Sequence, residues 1–152
     1  MDKIMSRMIT LLSRKMQPHL QKTLTGHNIT VAEQPFFGTL QHYDGVTQED
    51  LTEMLKFDKA ATARAVQSLE KKGLVTRTRD KNDKRKNRLY LTEEAKKRWP
   101  AVRNDLSHFN ERLIWGIDAR SLEITYQVLQ KMEENLVDMK SDASMKGEKP
   151  TA

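Results

Sequence analysis

Between Val46 and Thr92 the chain reads VTQEDLTEMLKFDKAATARAVQSLEKKGLVTRTRDKNDKRKNRLYLT, and no other stretch restricts its possible folds as tightly. Two short helical patterns stand in tandem. Thr47 caps the first, which carries Leu51, Met54 and Leu55, and Asp58 caps the second, which stops at Gly73. Two β-rich runs follow, Leu74–Thr78 and Arg88–Thr92, joined by a hydrophilic loop crowded with Lys and Arg; this is the pattern of a hairpin. In the second helix Thr62, Val66 and Leu69 share one face, while Ala60, Arg64, Gln67 and Lys71 share the other. The outward face is small at its start and then polar and basic, which lets backbone approach a groove while longer side chains reach in.

Charge singles out the same window. Lys59 to Arg88 holds eleven basic residues and three acidic ones, a net of +8. The whole chain of 152 residues carries +6, so everything outside the window sums to −2. A localised basic patch on a helix-plus-hairpin unit is suited to a polyanion, and double-stranded DNA is the expected partner.

The flanks read as helices. Met5, Ile9, Leu12, Met16, Leu20 and Leu24 recur at spacings of three and four, so an amphipathic helix is expected over residues 4–24, ended by Gly26 and Asn28. Thr30 and Glu33 form a capping-box pattern for a second helix, with a bend or a later start at Pro35. Asp44–Gly45 marks a turn. Thr92, Glu93 and Glu94 open a long helix whose apolar stripe is Val102, Leu106, Phe109, Leu113 and Ile117, with Pro100 as the place for an early kink. Asp118 or Ser121 starts the last helix, where Leu122, Leu129, Met132, Leu136 and Met139 keep the period of a seam between helices. Residues 141–152 are nearly devoid of apolar side chains and are expected to be disordered.

Several function classes are unsupported. The absence of cysteine removes disulfides and thiolate metal ligands from this chain. No stretch approaches the length of a membrane span, and the N-terminus lacks an uninterrupted apolar signal core, so a cytoplasmic location is expected. There is no phosphate-binding glycine loop, no H-E-x-x-H and no Ser/His/Asp set, so an enzyme is not expected.

With these pieces in order, the chain resembles the MarR/SlyA family of bacterial transcriptional regulators. The resemblance rests on GVTQEDLTEML for the first motif helix and on DKAATARAVQSLEKKGLVTR for the recognition helix and first wing strand. RDKNDKRKNRLYLTEEAKK matches the wing, its return strand and the next helix, with Asp83-Lys84-Arg85 as the D-x-R element of the wing tip. It implies a mainly α fold with a small β-hairpin wing: a winged helix-turn-helix plus N- and C-terminal dimerisation helices. The implied domains are an N-terminal dimerisation helix at 1–28, the DNA-binding domain at 29–99, C-terminal dimerisation helices at 100–140, and the tail. It also implies a homodimer that presents two recognition helices to successive major grooves of a pseudo-palindrome, with wings in the flanking minor grooves.

On this reading Arg64 is the main base reader and Arg85 the wing contact, flanked by Lys84 and Lys86. Lys59, Gln67, Lys71, Arg77 and Lys81 are expected to touch phosphates, while Ala60 and Ala61 allow close approach. Relatives that take small lipophilic or anionic effectors imply a ligand pocket lined by Phe36, Leu40, Val102 and Leu106, with Met16, His19 and His42 at its rim; ordinary core packing is the competing role. His42 and His108 lack neighbouring carboxylates at ligand spacing, so no metal and no cofactor are expected. The alternative function is an architectural or antagonist protein of low sequence specificity, suggested by Ala60, Ala61 and Ala63, which offer no base-edge donors.

Overall fold

The computed structural model describes residues 4–145, with side chains to 139. It divides into two units, one up to Asn110 and the other from Glu111 onward. The first unit runs α1 (Met5–Thr25), α2 (Gln34–His42), β1 (Val46–Thr47), α3 (Gln48–Leu55), α4 (Lys59–Lys71), β2 (Val75–Arg79), β3 (Asn87–Leu91) and α5 (Glu93–Leu113), whose last turn passes into the second unit. The three strands form one antiparallel sheet in the order β1-β3-β2. Val75 faces Leu91 and Arg79 faces Asn87 across the hairpin, and Val46 faces Leu89 on the other side of β3.

The boundaries differ from the sequence reading in instructive ways. Thr30 and Glu33 do exchange capping-box hydrogen bonds, at 2.9 and 3.2 Å, but these close a turn ahead of the helix. The helix itself begins at Gln34, leaving Pro35 in the first turn, where a missing N–H costs nothing. Leu74 belongs to the end of α4 and not to the hairpin. Its N–H reaches Leu69 O at 3.0 Å and that of Gly73 reaches Glu70 O at 2.9 Å, a Schellman closure with Gly73 at φ +70°. Thr92 likewise leaves the strand: its hydroxyl accepts from the Ala95 N–H at 3.1 Å and donates to Gly73 O, so it caps α5. Strand β1 was not expected at all, because two residues show no alternation; Val46–Thr47 pairs with the otherwise open edge of β3.

One buried cluster holds the first unit together. Phe36, Phe37 and Leu40 of α2 meet Leu51 of α3, Val66 and Leu69 of α4, Leu89 and Leu91 of β3, and Val102 of α5. Phe37 also packs on Trp99, with ring centroids 5.9 Å apart. Truncating such a fully buried ring to alanine costs about 3–5 kcal/mol. The long helix continues through Pro100. The expected stripe fades along it: Val102 is buried, Leu106 and Phe109 are half-buried, and Leu113 is exposed. Ile117 lies beyond the helix end.

The second unit consists of a turn and α6 (Ala119–Met145). Gly116 takes φ +79° in the turn. The Asp118 carboxylate caps the helix, accepting from Ser121 N–H at 2.9 Å and from its hydroxyl at 2.6 Å. Of the expected seam, Leu122 and Met132 are half-buried, while Leu129, Leu136 and Met139 stand exposed. The helix continues through residues 141–145, where disorder was expected; the rest of that tail lies outside the described residues. No helix of the described residues is long and apolar enough to cross a membrane.

Candidate nucleic-acid interface

Helices α3 and α4 are set by their caps. Thr47 accepts from Asp50 N–H at 3.1 Å while the Asp50 carboxylate takes the Thr47 N–H at 2.8 Å; the Thr47 N–H, with the Thr47 hydroxyl, holds the Asp50 carboxyl below its ordinary range. Asp58 accepts from Ala61 N–H at 2.7 Å. Between the helices Lys56 adopts the left-handed conformation, φ +56°, which makes the turn tight, and Phe57 packs on Phe36 at 5.3 Å. The turn thus fixes the direction in which α4 leaves α3.

The faces of α4 divide as the sequence indicates. Thr62, Ala65, Val66 and Leu69 are buried, whereas Lys59, Ala60, Arg64, Gln67 and Lys71 are exposed and Ala61 is half-buried. A row of free cations and one amide therefore stands on the outward side.

The wing is more constrained than its charged sequence suggests. The Asp80 carboxylate is buried and accepts the N–H groups of Asn82 (2.7 Å) and Asp83 (3.1 Å). The Arg88 guanidinium pairs with it and also donates to Gly45 O at 2.8 Å. The two backbone amides, with Arg88, hold the Asp80 carboxyl well below the usual carboxylate range. Gly45, at φ +79°, sits where a Cβ would come within 3.1 Å of the Tyr90 hydroxyl, so the turn carrying that carbonyl requires glycine. At the tip Lys81, Lys84, Arg85 and Lys86 are all exposed. Arg85 makes only a loose contact with Asp83 at 3.3 Å, and its side chain is 92% exposed.

Arg77 departs from the expected arrangement. It is bidentate to Glu70, with Nε and Nη2 donating at 3.1 and 2.9 Å, so that β2 is tied to the end of α4. Glu70 holds the guanidinium still more firmly protonated. A shallow polar cleft beside it is lined by Gln48, Glu49, Arg77, Arg85, Lys86 and Asn87, bringing the start of α3 against the wing.

The expected ligand-pocket residues are scattered by burial. Phe36, Leu40 and Val102 lie in the closed core, Met16 and Leu106 are half-buried, and His19 and His42 are exposed, with the His42 ring edge-on to Trp99 at 6.0 Å. His108 is exposed. Among the described residues no three His, Asp or Glu side chains gather in a way that could hold a metal ion.

Sequence reasoning missed three groups that shape this surface. Asp80 and Arg88 were counted only as charges, although an Asp at the start of a tight loop is an Asx-turn signal. The His27 Nε2–H donates to the Asp105 carboxylate at 2.7 Å, fastening the segment after α1 to α5. Glu33, seen only as a cap, is buried and meets Lys72 at 2.7 Å and the Ser68 hydroxyl. Burial raises the Glu33 pKa, but the hydrogen bonds from Lys72, Ser68 and the Thr30 N–H, with the Lys72 charge, outweigh it and leave the group below its ordinary value.

A tandem helix pair backed by a three-stranded sheet, with a hairpin carrying cations beyond it, defines a winged helix-turn-helix protein. A MarR-family model matches residues 27–86. A MarR transcriptional regulator from Methanosarcina mazei Go1 is 34% identical, with a TM-score of 0.78 over 91% of this chain and 99% of that one. The chain belongs to the MarR family. A putative MarR-family regulator from Listeria monocytogenes, solved in complex with a 26mer DNA, shares the fold at a TM-score of 0.83 and 24% identity, over 99% of this chain and 100% of that one. YybA of Bacillus subtilis, an uncharacterized HTH-type transcriptional regulator, is 32% identical over 60% of this chain and 61% of its own length. The chain spans about three fifths of the length of the curated relatives it matches.

Proposed function

We propose that this protein is a sequence-specific DNA-binding transcriptional regulator that acts as a homodimer on a pseudo-palindromic operator. The observation that carries the reading is the outward face of α4, where Lys59, Arg64, Gln67 and Lys71 stand exposed around small alanines, in the same unit as a braced wing with four exposed cations. On this reading Arg64 meets base edges and Arg85 a minor groove, while Lys59, Gln67, Lys71, Lys81, Lys84 and Lys86 serve phosphates. The homodimer is supported by apolar side chains left bare in one chain: Ile4, Met8 and Leu12 at the start of α1, and Ile124, Leu129 and Leu136 on α6. Repression relieved by a small lipophilic or anionic ligand is the mode of action that the family implies. Such a ligand shifts the spacing of the two recognition helices only by its unequal affinity for the two states.

Selection of bound sites from a random duplex pool, at two salt concentrations, tests the reading. Recovery of an inverted repeat with half-sites about ten base pairs apart supports it. Binding that yields no motif and collapses as salt rises favours an architectural protein instead, for which the alanines at 60, 61 and 63 are the supporting feature.

A further inference from the structure

Glu33 is 3% exposed, and both of its carboxylate oxygens are occupied. Oε2 accepts from the Thr30 N–H at 2.9 Å and from Lys72 Nζ at 2.7 Å, while Oε1 accepts from the Ser68 hydroxyl. Ser68 and Lys72 are four residues apart, one above the other on the inward side of α4. Arg64, Gln67 and Lys71 occupy the outward side of the same turns.

The segment bearing Glu33 is itself anchored. Gln21 of α1 accepts from the Val31 N–H at 3.1 Å, and His27 meets Asp105 of α5 at 2.7 Å. A carboxylate held from a fixed segment thus grips the recognition helix at two points along one face. The apolar contacts of Val66 and Leu69 bury area without a preferred direction of approach, so a directional contact adds a constraint that they do not. Hydrogen bonds are directional, weakening steeply when misaligned. Lys72 turns inward at this end of α4, and its ammonium is committed to Glu33.

We propose that Glu33 is a positioning residue for DNA recognition: through Ser68 and Lys72 it fixes the rotation of α4 about its axis, and so sets base selectivity without touching DNA. The inference rests on the DNA-binding reading above. Its consequence is specific. Loosening the grip disturbs the aim of the base reader but removes no phosphate contact, so selectivity falls while the salt dependence of binding stays as it is.

The experiment compares binding of the full chain and its Glu33→Gln variant to the selected operator duplex and to a scrambled duplex of the same length, across a salt series. The temperature is one at which circular dichroism shows both proteins folded. The operator-to-scrambled affinity ratio is expected to fall about tenfold with an unchanged salt slope. Lys72→Met, which removes the more exposed partner, is expected to give the same loss and replaces Glu33→Gln if that variant does not fold. An unchanged ratio, or equal weakening on both duplexes, overturns the inference and reduces Glu33 to a stabilising contact. A wild-type ratio near one is a different failure, since it removes the sequence-specific reading itself and this inference with it.

Discussion

Arg88 of β3 and Asp80 at the start of the wing tip form an ion pair within the hairpin, and the same guanidinium reaches Gly45 O at 2.8 Å on the far side of the sheet. One side chain therefore ties the wing to the turn before β1. Asp80 in turn holds the amides of Asn82 and Asp83. Replacing Asp80 with alanine is expected to free those amides and let the tip fray, without disturbing the core. Amide hydrogen exchange at Asn82 and Asp83 should rise sharply in Asp80→Ala, and DNA affinity should fall while the base preferences set by Arg64 survive. Unchanged protection at both amides counts against the brace.

Arg64→Ala is expected to cost about 1–3 kcal/mol of operator affinity and to relax the preference at one position of each half-site. The side chain is exposed on α4, so the thermal midpoint should hold. Repeating site selection with the variant checks this; an identical motif removes Arg64 from the base-reading role.

Arg85 lies almost wholly in solvent. Its removal should leave folding intact and reduce the slope of log affinity against log salt by about 0.9, the share of one phosphate-neutralising cation. Any preference for A·T-rich flanks should weaken with it, because a narrow minor groove attracts arginine. A salt titration on duplexes with A·T and G·C flanks reads both effects.

Glu70 keeps Arg77 engaged within the protein through two hydrogen bonds. Glu70→Gln should release that cation beside the wing, tightening binding to any duplex and steepening the salt slope by about one contact. Arg77→Ala should change the slope less than Arg85→Ala does. Equal effects from the two would show that the Glu70 pair opens on DNA.

Asp50, Glu33 and Asp80 are each more acidic in the fold than their ordinary values. A carboxylate whose folded pKa is depressed adds stability above its unfolded pKa, about 4, and loses it as pH falls through the lower folded value. The thermal midpoint should therefore be level between about pH 8 and 5 and decline below about pH 4, less steeply in Asp80→Asn than in wild type. A level profile down to about pH 3 would falsify this assignment.

The helices, the caps of α3 and α4, the hairpin and the outward face of α4 were legible in the sequence, because each depends on local periodicity, on a capping residue within three positions, or on a glycine at a forced turn. Thr47 and Asp58 cap the helices they were expected to cap, and of the two starts expected for the last helix, Asp118 or Ser121, it is Asp118 that caps. The localisation of charge was equally plain, since it depends on chain position alone. Tertiary structure decided the rest. Val46–Thr47 becomes a strand only because β3 offers an edge to it. Arg77, Lys72 and Arg88 look alike as cations in the sequence, yet they are committed to Glu70, Glu33 and Asp80, while Arg64 and Arg85 remain available. Phe36, Leu40 and Val102 share a core and do not open as a pocket. Which charge is free and which is paired depends on side chains far apart along the chain, 39 residues in Lys72 with Glu33 and 78 in His27 with Asp105, and no local pattern records a contact made at such distances.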